Sequence, residues 1–307
     1  MKKLSVILLA ALLVFMVYPA ASHAGPWTLA KGKLWAEVFG RYSYSQYNFD
    51  YKGNLSRWDN GGYQKIWDLE AKTEYGITDN LNALLYVPYT WNTFKNDFVV
   101  HGASQELKNE GFKSIQIGGK YKFLDAPVVL AGQIKFFLLP FNTDKNKEPF
   151  LDEYGNAIEI RGLIGKSFTL FERPCYASLE SGFKLRAKRW IGDSDWANTV
   201  PLFAEVGISP IDRVMIKNEF DCSISVPGTG RQKDTYTYRV GPIINVFGKG
   251  FNAVYRGDER SMNVEFLYGF TFAGRSDNDI HRDPAWPNSD DRIGMFHEFI
   301  AKVSILY

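Results

Sequence analysis

The feature that most constrains this chain is a strict alternation of apolar and polar residues in many separate segments. In YQKIWDLEAKTEY, which begins at Tyr63, one set includes Trp67, Leu69 and Tyr75, and the intervening set includes Asp68 and Glu70. Side chains of a β-strand point alternately to opposite faces, so these segments predict strands with one apolar and one charged face. A soluble protein would need a large core to cover so many apolar faces. A transmembrane barrel places them in lipid and the charged faces in a wet interior.

The alternation predicts an all-β fold, a transmembrane antiparallel up-and-down β-barrel of about twelve strands. The predicted strands are 33–47, 63–75, 81–92, 113–123, 128–140, 156–166, 176–187, 198–208, 213–226, 235–247, 261–273 and 293–307. Segment 247–261 is open to two interpretations, a long turn or a further strand. Short joins alternate with long polar stretches, which is typical of periplasmic turns and extracellular loops. The long stretches begin near residues 48, 92, 142 and 275.

Residues 1–24 have the order of a secretory signal peptide. Lys2 and Lys3 precede an apolar run, and small residues end at Ala24, so we expect a mature barrel of residues 25–307 in the bacterial outer membrane. The alternative is a membrane anchor, but the run is short and Pro19 interrupts its end. The whole chain has 36 basic and 34 acidic residues, and loss of the two leader lysines leaves 34 of each. A neutral chain argues against a nucleic-acid partner.

The outward faces of the predicted strands carry aromatic residues at both ends. One group is Tyr42, Tyr44, Tyr89, Trp91, Tyr236 and Tyr238, and the other is Tyr75, Tyr121, Phe123 and Tyr307. Two such groups are expected where a barrel crosses the two membrane interfaces, so the bilayer is a predicted partner. The terminal Tyr307 resembles the signal that the outer-membrane insertion machinery reads. Cys175 and Cys222 fall on different predicted strands at different heights, which favours two free thiols.

The inward faces supply the candidate functional residues. The predicted lumen-lining set is Glu37, Arg41, Asp68, Glu70, Lys72, Glu74, Lys120, Lys122, Lys135, Glu159, Arg161, Glu180, Lys184, Arg186, Glu205, Lys217, Glu219, Asp221, Arg239, Glu265 and Lys302. Two interpretations remain open. The charges form a selectivity lining for a pore, or they form a salt-bridge network that fixes strand register and fills part of the bore.

The expected bore does not decide between an open and a plugged barrel. Eight strands are filled by side chains and sixteen leave a channel, so about twelve lies between these limits. Segment 25–33 precedes the first strand and is equally compatible with an inward plug and a loose periplasmic tail.

Catalytic, metal and cofactor sites have little support in the sequence. His101, His281 and His297 are the histidines beyond the leader, and no Gly-x-Ser-x-Gly elbow is present. No His or Cys cluster has metal-ligand spacing, so no cofactor is expected. Loop aromatics such as Trp58, Phe98, Trp190, Trp196 and Trp286 leave adhesion or surface-polymer export as an alternative function, with an outer-membrane hydrolase as a further one.

Several stretches resemble a bacterial outer-membrane family. They are WTLAKGKLW from Trp27, EYGITDNL from Glu74, LYVPYTW from Leu85 and IGGKYKFLDAPVVLAGQIKF from Ile117. The chain is similar here to the putative MetA-pathway of phenol degradation family. That resemblance implies a barrel and suggests small aromatic cargo. The sequence therefore predicts a passive channel for small solutes, aromatic or modestly hydrophobic, and no enzyme. Pattern alone does not separate an oligomer contact from lipid-facing surface.

Overall fold

The computed structural model describes residues 25–50, 52–58, 61–100, 103–139, 149, 151, 156–187, 197–229, 233–248, 250–251, 260–276 and 293–307. Within these ranges no helix is long and apolar enough to span a bilayer. The described strands are β1 (Leu34–Ser45), β2 (Tyr47–Phe49), β3 (Leu55–Arg57), β4 (Tyr63–Gly76), β5 (Leu81–Val100), β6 (Ala103–Phe112), β7 (Ile115–Leu124), β8 (Val129–Leu138), β9 (Ala157–Leu170), β10 (Arg173–Arg186), β11 (Thr199–Ile211), β12 (Val214–Ser225), β13 (Lys233–Phe247), β14 (Ser261–Ser276), β15 (Ile293–Gly294) and β16 (His297–Leu306).

Twelve of these strands close an antiparallel barrel, as the alternation predicts. They are β1, β4, β5, β7 to β14 and β16. The closing pairs join β16 to β1, with Leu306 opposite Trp35, and β4 to β5, with Ala71 opposite Val87. Because the ring of pairings leaves no barrel strand unpaired on either side, its backbone groups can be satisfied within a bilayer.

The apolar belt of the barrel faces outward in the predicted register. Leu85 and Ile117 are each 43% exposed and Val206 is 47% exposed, as expected for side chains that contact lipid. Gln116 and Gln133, on the alternate positions, line the cavity, which Val206 does not reach. A register error of one residue would have exchanged these two sets.

Aromatic pairs mark both borders of this belt. Near the long-loop end, the Tyr42 and Trp67 rings lie 4.6 Å apart, as do the rings of Tyr89 and Trp91. At the short-turn end, the rings of Tyr121 and Phe123 lie 5.2 Å apart. These contacts between outward side chains fit the two interfacial girdles predicted from the sequence.

One predicted loop is a β-hairpin. Residues following Asn92 were expected to form a polar extracellular loop, but β5 continues to Val100 and pairs with β6, with Asn96 opposite Gln105. The loop prediction is wrong because backbone pairing continues beyond the belt, where no lipid selects apolar residues on alternate positions. The polar sequence therefore gives no strand signal there.

The structure also extends two predicted strands, decides the open segment 247–261 and divides segment 293–307. β9 and β10 extend to a tight turn at Phe171 and Glu172, which adopt φ of 50° and 61° as a two-residue hairpin turn requires. β13 pairs directly with β14, so no barrel strand separates them. Segment 293–307 contains two strands, and β15 joins β2 and β3 in a small separate sheet. The stretch after Asn48 is largely polar, so the sequence gives no strand signal for this sheet.

The small sheet lies beside the extracellular ends of β1 and β14. Thr271 donates a backbone hydrogen bond to Phe296, and Met295 donates one to Tyr47. Phe49 and Trp58 are buried here, and the Trp58 ring packs edge-on against Phe94 at 5.2 Å. Trp58 therefore packs the loops and is not presented as an adhesive contact.

Candidate functional site

The barrel encloses a cavity of about 520 Å³ lined by inward side chains. Eighteen of the 21 charged residues selected from the sequence lie on its wall. The other three lie off the wall: Asp68 and Glu265 pair with cations that line the cavity, while Lys122 binds Asp125 at a periplasmic turn, with 2.8 Å between Nζ and Oδ2. Lys122 shares a face of β7 with Lys120 but is not among the residues that line this cavity.

The charged residues that line the cavity fall into two groups, each on neighbouring strands of the barrel. β7 to β10 contribute Lys120, Lys135, Glu159, Arg161, Glu180, Lys184 and Arg186. The strands from β11 round to β4 contribute Glu37, Arg41, Glu70, Lys72, Glu74, Glu205, Lys217, Glu219, Asp221, Arg239 and Lys302. β5, which separates the two groups on one side, contributes Leu84 and Tyr86.

A dense ion-pair network covers β11 to β16. The Lys217 ammonium lies 2.6 Å from Glu265, 2.7 Å from Glu219 and 3.6 Å from Glu205. Lys302 also binds Glu265, at 2.9 Å. The carboxylate of Glu205 in addition accepts a hydrogen bond from the Tyr176 hydroxyl. Buried charges at these positions are tolerated because each has several partners.

Two arginines extend the network towards the extracellular end. Arg239 binds Glu298 at 2.7 Å and Asp221 at 3.2 Å. Arg41 binds Asp68 at 2.8 Å and Glu70 at 3.0 Å. Both bridge neighbouring strands, so the salt-bridge interpretation of the charged faces is realised in the structure.

Sequence analysis missed Lys113, which completes the Asp68 site. Its ammonium lies 2.6 Å from Asp68 Oδ1. Lys113 lies in the two residues between β6 and β7, outside the regular alternation. No periodic signal marks it as inward, since it lies between two strands.

The wall formed by β7 to β10 is arranged differently, with few carboxylates among many cations. Glu159 binds Arg161 at 2.7 Å and Lys135 at 3.5 Å. Glu180 binds Arg161 at 3.3 Å. The Lys184 ammonium lies 4.1 Å from the centre of the Phe137 ring. Aromatic rings therefore take part in holding the cations of this wall.

Apolar side chains also line the cavity, and the charge pattern did not reveal them. Phe39 packs with Leu267, Ile300 and Tyr86 in a small inward cluster. The Lys72 ammonium lies 4.6 Å from the Phe39 ring centre and 3.8 Å from the Glu37 carboxylate. The lumen wall is thus amphipathic, with rings placed between charged groups.

The N-terminal segment enters the periplasmic end of the barrel. Leu29 is fully buried, and Trp27 packs edge-on against Tyr176 with 5.9 Å between ring centres. The apolar cluster around Leu29 consists of Trp35, Tyr176, Met215, Ile243, Phe251, Ile305 and Leu306. Of the two interpretations left open by the sequence, the structure shows the inward plug. Burial of the apolar residues of this segment inside the barrel mouth removes them from water, which stabilises the docked position.

Hydrogen bonds and close contacts hold this plug in place. The Leu29 amide donates to Asn82 Oδ1 at 3.2 Å, and Lys120 Nζ donates to the Gly25 carbonyl at 3.2 Å. A Cβ on Gly76 would lie 2.2 Å from the Ala30 carbonyl oxygen. Gly76 therefore allows the backbone of the segment to pass close to β4.

The described residues contain neither a candidate metal site nor a disulfide bond. No group of three or more His, Cys, Asp or Glu side chains there could hold a metal ion. Cys175 and Cys222 are free, as predicted. His297 lies on the outer face, where its Nδ1 is 2.7 Å from the Tyr268 hydroxyl, and His101 and His281 lie outside the described residues.

The closed barrel, its apolar belt and its aromatic girdles define a transmembrane β-barrel of the bacterial outer membrane. No family model matches the chain, and no curated protein does. Among solved structures, an outer membrane channel from Pseudomonas putida F1 matches 93% of this chain and 99% of its own, with a TM-score of 0.65 and 11% identity. It shares the fold. This is also the fold implied by the resemblance to the phenol-degradation family.

Two further solved structures are similar at lower scores. A Pseudomonas aeruginosa FadL homologue has a TM-score of 0.40 and 10% identity, with 90% of each chain covered. A deltaS2S3 mutant of TodX, a monoaromatic hydrocarbon channel, has a TM-score of 0.39 and 8% identity, with 92% of each chain covered.

Proposed function

We propose that this protein is a passive channel for small solutes across the outer membrane. The observation that carries the proposal is the closed barrel with a charged cavity of about 520 Å³ along its axis. Water and small polar solutes can occupy such an interior, whereas lipid contacts only the outer belt.

The plug occupies the periplasmic end of the path, so transport requires segment 25–33 to leave its site. Leu29 and Trp27 hold the segment by apolar contact, and the barrel strands keep their own backbone pairing without it. The plug can therefore move without breaking the barrel.

The proposed cargo is aromatic or modestly hydrophobic. Phe39, Tyr86, Phe137 and Phe203 line the cavity between the charged groups. Rings at these positions can contact an aromatic solute by stacking or edge-to-face packing. The resemblance to the phenol-degradation family points in the same direction.

Export and membrane assembly complete the proposal. Residues 1–24 lie outside the described residues and are proposed to be removed as a signal peptide. Tyr307, at the end of the last strand, is proposed to be read by the insertion machinery.

Planar-bilayer recordings of the refolded protein test the channel function. We expect discrete conductance steps, and larger steps after deletion of residues 26–31, because that deletion empties the periplasmic mouth. Uptake of small solutes into liposomes should rise with the same deletion. The proposal is wrong if both proteins stay electrically silent and neither speeds uptake of any small solute over protein-free liposomes.

A further inference from the structure

The charged residues of the lumen are nearly balanced in number but separated in space. We call the cavity-lining charges of β7 to β10 the basic wall. The acidic wall consists of the cavity-lining charges from β11 round to β4. Each wall is continuous around the barrel because its strands are neighbours. A count over the whole lumen conceals this separation.

The formal charges of the two walls have opposite sign. The basic wall has five cations, Lys120, Lys135, Arg161, Lys184 and Arg186, and two carboxylates, giving +3. The acidic wall has six carboxylates and five cations, giving −1, and its Glu74 pairs with Lys120 of the basic wall at 2.9 Å across β5. The lumen is therefore polarised across its width.

The contacts explain how each wall keeps its excess charge. On the acidic wall one cation serves several carboxylates, as Lys217 does for Glu205, Glu219 and Glu265. On the basic wall Glu159 serves both Lys135 and Arg161, and Arg161 also binds Glu180. Networks of this kind hold an excess of one sign within a wall without leaving its charges unpaired.

A polarised lumen treats solutes differently according to their charge distribution. A solute with a single charge is attracted by one wall and repelled by the other. A zwitterion can turn its carboxylate to the basic wall and its ammonium to the acidic wall, and gains from both. The two walls set up an electric field across the lumen. The low dielectric constant of the surrounding barrel focuses this field within a narrow aqueous space.

We infer that the lumen selects zwitterionic solutes that also carry an aromatic ring, which it orients across the barrel. The aromatic ring of the solute can contact a phenylalanine at either wall. Phe137 lies beside Lys184 on the basic wall, and Phe39 lies beside Lys72 on the acidic wall. This inference rests on the proposed channel function and narrows its cargo.

Three solutes of nearly equal size test the inference in liposome uptake assays. Phenylalanine is the zwitterion, phenylalaninol lacks the carboxylate and phenyllactate lacks the ammonium. After subtraction of uptake by protein-free liposomes, we expect phenylalanine to enter about threefold faster than either, a factor that corresponds to about 0.65 kcal/mol. Equal rates, or a faster rate for either singly charged solute, would overturn the inference.

Charge variants assign the effect to the basic wall. The pair Lys135→Gln with Lys184→Gln lowers that wall from +3 to +1, and we expect most of the phenylalanine advantage to disappear. The pair Lys135→Arg with Lys184→Arg should retain it. Lys122→Gln removes a charge outside the cavity and should leave the ratio unchanged. An unchanged ratio in the double Gln variant refutes the assignment.

Uptake of uncharged arabitol separates this inference from the channel proposal. Each phenylalanine rate is expressed relative to arabitol uptake through the same variant, so that a change in bore size cancels. If arabitol enters but phenylalanine has no advantage, only the zwitterion inference fails. If neither wild type nor the plug deletion admits any of these solutes, the channel proposal fails as well. Heat-modifiable gel mobility should show the folded barrel in every variant.

Discussion

The plug offers the most direct test of how this barrel is closed. Leu29 is 0% exposed and contacts the apolar cluster at the periplasmic end, although it precedes the first strand. In Leu29→Ala the lost side chain leaves a cavity, and such changes cost about 2 to 5 kcal/mol. The cost falls on docking of the segment, because Leu29 takes no part in barrel pairing.

The expected shift in plug occupancy follows from this cost. Each 1.4 kcal/mol is a factor of ten, so even the smaller value lowers the docked-to-released ratio by about 30-fold. Single-channel recordings should show a larger fraction of time at the conductance level defined by deletion of residues 26–31. The rate of small-solute uptake into liposomes should increase in parallel.

A matched control distinguishes a loss of plug docking from a general loss of barrel stability. Leu34→Ala removes a leucine from the base of β1 that is 40% exposed and lies outside the cluster, so its open fraction should equal that of wild type. The reasoning is refuted if folded Leu29→Ala and Leu34→Ala behave alike while the deletion conducts more. It is also refuted if the deletion conducts no more than wild type, since the segment would then not block the path.

Three further predictions concern facing, lumen charge and processing. Val206→Arg places a cation in the lipid-facing belt and should destabilise the barrel by about 2 to 4 kcal/mol in lipid refolding assays, whereas Gln133→Arg, in the lumen, should be tolerated; equal costs would contradict the register. Neutralising the lumen charges of β4 should lower cation preference in reversal-potential measurements, because the triple change removes net negative charge: Glu70→Gln, Lys72→Gln and Glu74→Gln. Intact mass of protein purified from the cell envelope should correspond to a chain that begins at Gly25, and a chain that retains Met1 would exclude cleavage.

Sequence alone determined the features that repeat with the strand period. Lipid and water select opposite residue types on the two faces of a membrane-spanning strand. The polarity of each residue therefore indicates whether its side chain points to lipid or to the lumen. This is why the outward position of Val206 and the inward position of Glu219 follow from the pattern. Strand number and closure follow as well, because an open edge cannot be satisfied in lipid.

Only the tertiary structure decided features that depend on which strands become neighbours. The β5–β6 hairpin continues above the belt, where no bilayer imposes a pattern, and Lys113 reaches Asp68 from between two strands. The plug is equally undetermined by local sequence, since Leu29 finds its partners on strands from both ends of the chain. The separation of lumen charge into two walls arises because barrel closure brings β16 and β4 to either side of β1, which joins residues far apart in sequence into one surface. The period of a strand encodes its faces, but closure alone determines which faces meet.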